Sequence, residues 1–226
     1  MAGSPGGGKS SIVEGLGLEK QGYKIVNQDV FLEWAKNLVG LPESEIDYDA
    51  VQRSVRGEMG ALAKKVAEKD LEDFTDAGDG VVVDGTGASL KATKAKIKAL
   101  QDKGYEVSMV YVNTSKDIAL DRNRSRKERS LPDFIVERTW DSVNANKEAY
   151  IEEFGDKFFE VETDNLKQGE VPSEFVNEVN SKLNATERGM LDAGQFAHVS
   201  TDMEAEGATW DFSQFNQVID GREGPL

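Results

Sequence analysis

Near its start the chain reads Gly3-Ser4-Pro5-Gly6-Gly7-Gly8-Lys9-Ser10, which fits the phosphate-binding loop G-x-x-x-x-G-K-[ST]. Each residue type has its own task. Glycines let successive backbone N–H groups turn inward and form an anion-binding nest. The helix that follows aims its positive end at the same phosphates. Lys9 would reach the β- and γ-phosphates, and the Ser10 hydroxyl would ligate Mg²⁺. Gly3, Ser4, Pro5, Gly6, Gly7, Gly8, Lys9, Ser10 and Ser11 are therefore the candidate nucleotide contacts. A flexible glycine-rich tag has a similar composition. Against that reading, Lys9 and Ser10 open an apolar helical pattern of Ile12, Val13 and Leu16.

Three further features bear on the reaction. Asn27-Gln28-Asp29 ends a short β-like run. In open parallel sheets, ligands lie outside the carboxyl ends of the strands. An aspartate there can take the proton of a hydroxyl that attacks a γ-phosphate. Alternatively, Asp29 caps the next helix, a position that Asp and Asn favour. Asp84 ends Val81-Val82-Val83-Asp84 and precedes Gly85-Thr86, as an acid of the Walker-B type would. With Ser10 it is the candidate metal ligand, although Asp-Gly is also a common turn pair. Arg122, Arg124, Arg126, Lys127 and Arg129 crowd one segment that ends at Leu131-Pro132-Asp133. Arginines spaced like this between two helices suit a lid that closes on a transferring phosphoryl group. A solvated basic helix end would look similar. Arg122 and Arg126, four residues apart, are expected to share a helix face.

The elements that must position these residues follow from periodicity and punctuation. Residues 9–21 read as the helix after the loop, and 23–27 as a strand. Helices are expected over 29–39, 48–76 (one long or two shorter), 90–103, 115–126 and 131–154, with a last one over 173–183. Strands are expected over 81–84, 106–112 and 157–161. The Val-Val-Val run resembles a strand buried on both faces of a parallel sheet. The alternation predicts an α/β fold, a parallel β-sheet flanked by helices. A loop of this type normally follows a buried strand. Only Met1 and Ala2 precede this one, so the first strand is expected to be absent and the sequence to be an N-terminally shortened fragment. If the chain is complete, weak or no activity is expected.

The chain has 226 residues, enough for one α/β domain with an appendage. Residues 1–184 read as the domain and 185–226 as an appended segment, an irregular acidic tail that could open a truncated second domain. Residues 199–226 carry six acids against Arg222. No run approaches the roughly 20 apolar residues that span a bilayer. With no cysteines, thiolate metal sites and cysteine nucleophiles are excluded. With one histidine, His198, multi-histidine metal sites are excluded as well. His198 reads as a surface or packing residue. A cytoplasmic setting is the simplest expectation, and no membrane partner is expected. The formal net charge of −15 disfavours broad nucleic-acid binding. Positive charge is local, in the lid and in the five lysines of residues 91–104.

Taken in order, Gly-Ser-Pro-Gly-Gly-Gly-Lys-Ser, Val-Asn-Gln-Asp, Val-Val-Val-Asp-Gly-Thr and Asp-Arg-Asn-Arg-Ser-Arg resemble the kinase domain of phage polynucleotide kinases. They are also similar to the wider P-loop kinase group that includes zeta toxins. The resemblance covers roughly residues 3–165. It implies that Asp29 activates an acceptor hydroxyl and that Arg122 and Arg126 contact phosphates. It also implies ATP and Mg²⁺ as cofactors, with a nucleic-acid 5′-hydroxyl as acceptor and a small metabolite as the alternative. The third family motif usually reads Asp-x-Thr-Asn, whereas here Gly87 follows Thr86. Val30 follows Asp29 where such kinases often carry a polar residue. Arg53 and Arg56 could face the acceptor cleft, but no motif anchors them. Residues 192–226 vaguely resemble part of a phosphatase domain that such kinases often carry. The tail lacks an Asp-x-Asp motif, so no phosphatase activity is expected. A nucleotide-binding protein without catalysis is the remaining alternative.

Overall fold

The structure is a computed structural model. It describes residues 1–192 apart from 127, 128 and 168, with side chains as far as 183. Residues 193–226, most of the expected acidic tail with His198, lie outside the described residues, whereas 185–192, expected to be irregular, continue the last helix. Met1–Glu187 forms one compact unit and Arg188–Leu226 is a second. The helices are α1 (Lys9–Leu16), α2 (Gln28–Leu38), α3 (Ala50–Asp76), α4 (Leu90–Asp102), α5 (Lys116–Ser125), α6 (Asp133–Ala145), α7 (Lys147–Phe154) and α8 (Ser173–Asp192). The strands are β1 (Lys24–Asn27), β2 (Val81–Asp84), β3 (Met109–Asn113) and β4 (Phe158–Glu162). Among the described residues, no helix is long and apolar enough to cross a membrane.

All the strand pairs are parallel. β1 pairs with β2 so that Asn27 lies opposite Asp84, and β3 pairs with β4 so that Asn113 lies opposite Glu162. Met1 and Ala2 lie between the two ladders. The Met1 amine donates to the Val83 carbonyl at 2.8 Å, and Ala2 bridges in parallel to Tyr111. Ala2 N–H donates to Val110 O at 2.9 Å, and Val112 N–H donates to Ala2 O at 2.8 Å. Two residues thus occupy the lane of the expected first strand and deliver the chain directly into the glycine loop.

β3 is the strand buried on both faces. Val110 and Val112 pack with Ile12, Leu16, Phe159, Val161, Phe175 and Val179 on one side. Met109 and Tyr111 pack with Ala2, Ile97, Val143, Tyr150 and Phe154 on the other. The alternation follows from side chains pointing to opposite faces along a strand. β2 differs from expectation, because only Val82 of its valines is fully buried. Beside it, the Met1 amine reaches the Val83 carbonyl.

Caps define the helices that carry the site. Asn27 caps α2 and accepts from Asp29 N–H, and Asp49 with Gln52 forms a capping box on α3. The helix expected over 131–154 is broken into α6 and α7. Asn146, at the break, donates from Nδ2 to Gly87 O and Ala88 O, both at 3.0 Å. Tyr150 Oη donates to the same Gly87 carbonyl at 2.6 Å. These bonds hold the loop after Asp84, a tertiary demand that a helical pattern does not reveal.

Gly87 also explains the missing asparagine of the third motif. It sits at φ +70°, and a Cβ there would lie 2.7 Å from Ala2 Cβ. Gly87→Ala is expected to destabilise the fold by about 1–3 kcal/mol, from the left-handed backbone and the clash together. Urea denaturation of the two proteins measures the difference.

Candidate functional site: a phosphate-binding loop ringed by acids and arginines

The loop lies where Ala2 leaves the sheet. Gly3 N–H donates to Thr86 O at 3.0 Å, and Gly7 N–H closes a turn onto Ser4 O at 3.1 Å. Gly6, at φ +81°, lies so close to α5 that a Cβ would stand 2.2 Å from Ala119 O. A side chain at this position would push the loop off the scaffold. Gly8 is the N-cap of α1, and the first N–H groups of a helix have no partner within it. Lys9 Nζ donates to Gly3 O at 3.0 Å and Ser4 O at 3.1 Å, so it arches back over the loop. Burial lowers its pKa; Asp84 and Asp29 oppose that shift, and Arg126 adds to it. Those influences place two acids and an arginine in the electrostatic field of Lys9.

The two acids come from just beyond β1 and from the end of β2. Asp84 is the last residue of β2, opposite Asn27. Asn27 Nδ2 donates to Asp84 Oδ2 at 2.8 Å while Asn27 Oδ1 caps Asp29 N–H at 2.8 Å. One asparagine therefore sets the position of both acids. Since Asn27 is the cap, the Asp29 carboxylate is not used for capping; it is exposed in the first turn of α2. Asp84 Oδ1 is buried and accepts no hydrogen bond among the described residues.

That orphaned oxygen bears on the implied Mg²⁺. Mg²⁺ keeps several waters and takes one or two protein oxygens beside substrate phosphates. Asp84 Oδ1 and the exposed Ser10 hydroxyl fit that pattern. Among the described residues, no group of three or more His, Cys, Asp or Glu could hold a metal ion by itself.

The arginines differ in their partners. Arg122, on α5, donates from Nη2 to Thr163 O at 2.6 Å and Leu166 O at 3.3 Å, and from Nη1 to Thr163 Oγ1 at 3.3 Å. It is tied to the loop after β4. Helix α5 stops at Ser125, so Arg126 leaves it in extended backbone and the expected shared helix face does not form. Arg126 and Asp29 still act on one another electrostatically, as does Arg129 on Arg126. Arg129 adopts φ +60°, a left-handed conformation rare for a non-glycine residue. Gly8, Ser10, Arg122, Arg126, Arg129 and Thr163 line one open cavity of about 670 Å³.

Several contributors carry no linear signal. Buried Asn123 holds Leu131 by both its backbone groups, donating to Leu131 O at 2.7 Å and accepting from Leu131 N–H at 3.0 Å. Ser130 Oγ bonds Ser44 Oγ at 2.9 Å, and Glu45 N–H donates to Ser130 O at 3.0 Å. Arg56 is held by Glu45 at 2.9 Å, and Glu45 also pairs with the fully buried Lys36 at 3.3 Å. Arg56 is therefore structural, and Arg53 is exposed.

Comparisons with known proteins bear on this geometry. The family described as an AAA domain matches residues 1–149. Among solved structures, the chain is similar to a deoxyadenosine kinase from M. mycoides with bound dATP. That likeness has 13% identity and a TM-score of 0.41, over 82% of this chain and 97% of the other. No curated protein sequence matches.

Burial pushes the Asp84 carboxyl above its usual range, with Lys9 pulling it back and Asp29 adding to the rise. The folded state thus binds this proton more tightly than the unfolded chain does. The charged form costs stability, and the loss develops as pH rises from the unfolded value through the raised one. Asp84→Asn is therefore expected to raise the melting temperature of the nucleotide-free protein at neutral pH. The expected rise is about 2–4 °C, the shift that ~1 kcal/mol gives in a chain of this size. Calorimetry in the absence of nucleotide measures it.

Proposed function

The chain belongs to the AAA domain family, and we propose that it is an ATP- and Mg²⁺-dependent kinase that phosphorylates a hydroxyl group. The observation that carries this reading is Asn27, which bonds Asp84 Oδ2 and caps Asp29 N–H, both at 2.8 Å, so that both acids stand in the field of Lys9. Nucleotide binding alone requires the loop and Lys9. An exposed carboxylate facing that loop, with an arginine beside it, suits transfer.

In this mechanism the loop amides and Lys9 hold the β- and γ-phosphates of ATP. Asp29 orients the acceptor hydroxyl and takes its proton. The hydroxyl oxygen bonds to the γ-phosphorus as the bond from that phosphorus to the bridging oxygen breaks, and ADP leaves. Lys9 and Arg126 stabilise the negative charge spread over the transferring oxygens. Arg122, held on the Thr163 and Leu166 carbonyls, supports the lid from the other side. Ser10 and Asp84 would hold Mg²⁺, which would offset the negative charge of the transferring phosphate.

The acceptor in this reading is a polynucleotide 5′-hydroxyl, on the motif order described above. A second reading, a small-metabolite acceptor, is favoured by one observation. Arg56, which could have served a nucleic-acid strand, is spent on Glu45.

Incubation with γ-labelled ATP and a 5′-hydroxyl oligonucleotide tests both readings. Label on the oligonucleotide is expected, and Asp29→Ala should cut transfer by about 10²–10⁴-fold with ATP binding retained. Label on a small metabolite alone moves the acceptor to the second reading. Binding without transfer to any hydroxyl refutes the kinase.

A further inference from the structure

Two threonines lie beneath the glycine loop, and no motif accounts for them. Thr114 follows the last residue of β3, and Thr163 follows the last residue of β4. Asn113 and Glu162 are partners in the ladder, so Thr114 and Thr163 are the next pair beyond its end. Each is 2% exposed. Their hydroxyl oxygens are 2.6 Å apart, and both reach the Gly7 carbonyl, Thr163 at 2.9 Å and Thr114 at 3.1 Å.

Hydrogen counting sorts these contacts. Each hydroxyl has one proton to donate and two lone pairs to accept with. Arg122 Nη1 donates to Thr163 Oγ1 at 3.3 Å and can only donate, so Thr163 Oγ1 is an acceptor on that side. Thr114 can donate to Thr163 in turn. The Thr163 proton is then free for Gly7 O, with Asn113 O at 3.1 Å as its other acceptor.

The consequence for the loop follows from peptide geometry. In a planar trans peptide the carbonyl and the next N–H point in opposite directions. Fixing Gly7 O down onto the threonines turns Gly8 N–H up, away from the sheet and toward the cavity. Gly8 is the N-cap residue of α1. Arg122 Nη1 stands 4.0 Å from where a Gly8 Cβ would be, so the guanidinium that touches Thr163 also overhangs this peptide.

We propose that Thr163, seconded by Thr114, is a positioning residue that fixes the Gly7–Gly8 peptide plane so that Gly8 N–H is aimed at a bound polyphosphate. Through Arg122 the same hydroxyl ties the lid helix to the loop. This inference rests on the phosphate-binding reading of residues 3–10, not on transfer to any acceptor.

Inorganic tripolyphosphate is the probe, because it engages the loop without a base, a sugar or an acceptor. Thr163→Val keeps the shape and removes the hydroxyl. It should weaken tripolyphosphate binding about tenfold, the loss of one charge-assisted hydrogen bond. Thr163→Ser, which restores the hydroxyl, should bind within about twofold of the parent, well under the tenfold step of that bond. Equal loss in Thr163→Ser and Thr163→Val, or no loss in Thr163→Val, overturns the proposal. Should Thr163→Val fail to fold, Thr114→Val must still weaken binding about threefold, as part of one such bond; unchanged binding there overturns it too. A parent protein that binds tripolyphosphate but phosphorylates nothing leaves the proposal standing and removes the kinase. A parent that binds no tripolyphosphate removes both.

Discussion

Backbone lying directly on backbone is the constraint from which the site follows. The glycine loop rests on the end of β3, on α5 and on two threonine hydroxyls, with no room for a Cβ at Gly3 or Gly6. A Cβ on Gly3 would lie 3.0 Å from Val112 O, and one on Gly6 would lie 2.2 Å from Ala119 O. The Gly7 carbonyl meets the Thr114 and Thr163 hydroxyls from above. Carbonyls that face the scaffold leave the alternate amides facing the cavity, and that makes a polar loop an anion site. Two residues, Met1 and Ala2, seat it between the ladders.

Charge is then distributed around the loop by the ends of other elements. Lys9 serves the loop's own carbonyls at Gly3 and Ser4. A phosphate would offer that ammonium a charged partner in place of two neutral ones. Asp84 carries a buried oxygen with no hydrogen-bond partner among the described residues, a cost in the free protein. Such a cost is expected where a group awaits a ligand. Arg122 is occupied by carbonyls after β4, whereas Arg126 lines the cavity from extended backbone and Arg129 pairs with Glu33 at 4.0 Å. Asn27 links the two acids, so the β1 and β2 ends act together.

The glycine loop, Asp29, Asp84 and the arginine cluster were legible in the sequence because each has a local signature. Glycines at fixed spacing mark a loop, and acids at the ends of β-branched runs mark strand termini. The β–α alternation was legible for the same reason. Thr114, Thr163, Asn123 and Asn27 were not, since a polar residue after a strand or inside a helix looks the same whether it faces water or a buried carbonyl. The break at Asn146 arises from bonds to Gly87 and Ala88, nearly 60 residues away in sequence, and no periodicity records it. The end of α5 at Ser125 redirected Arg126, an end that Ser125 does not signal. Burial of β2 was overestimated because its composition does not show how far a neighbouring lane extends.

Equilibrium binding of MgATP to the parent and to Lys9→Ala tests the account most directly, since everything else is arranged around a phosphate at this loop. A loss of about tenfold or more in affinity is predicted, the scale of a charge-assisted contact to phosphate. Equal affinity in the two proteins would contradict the account, for it would place the nucleotide somewhere other than the glycine loop.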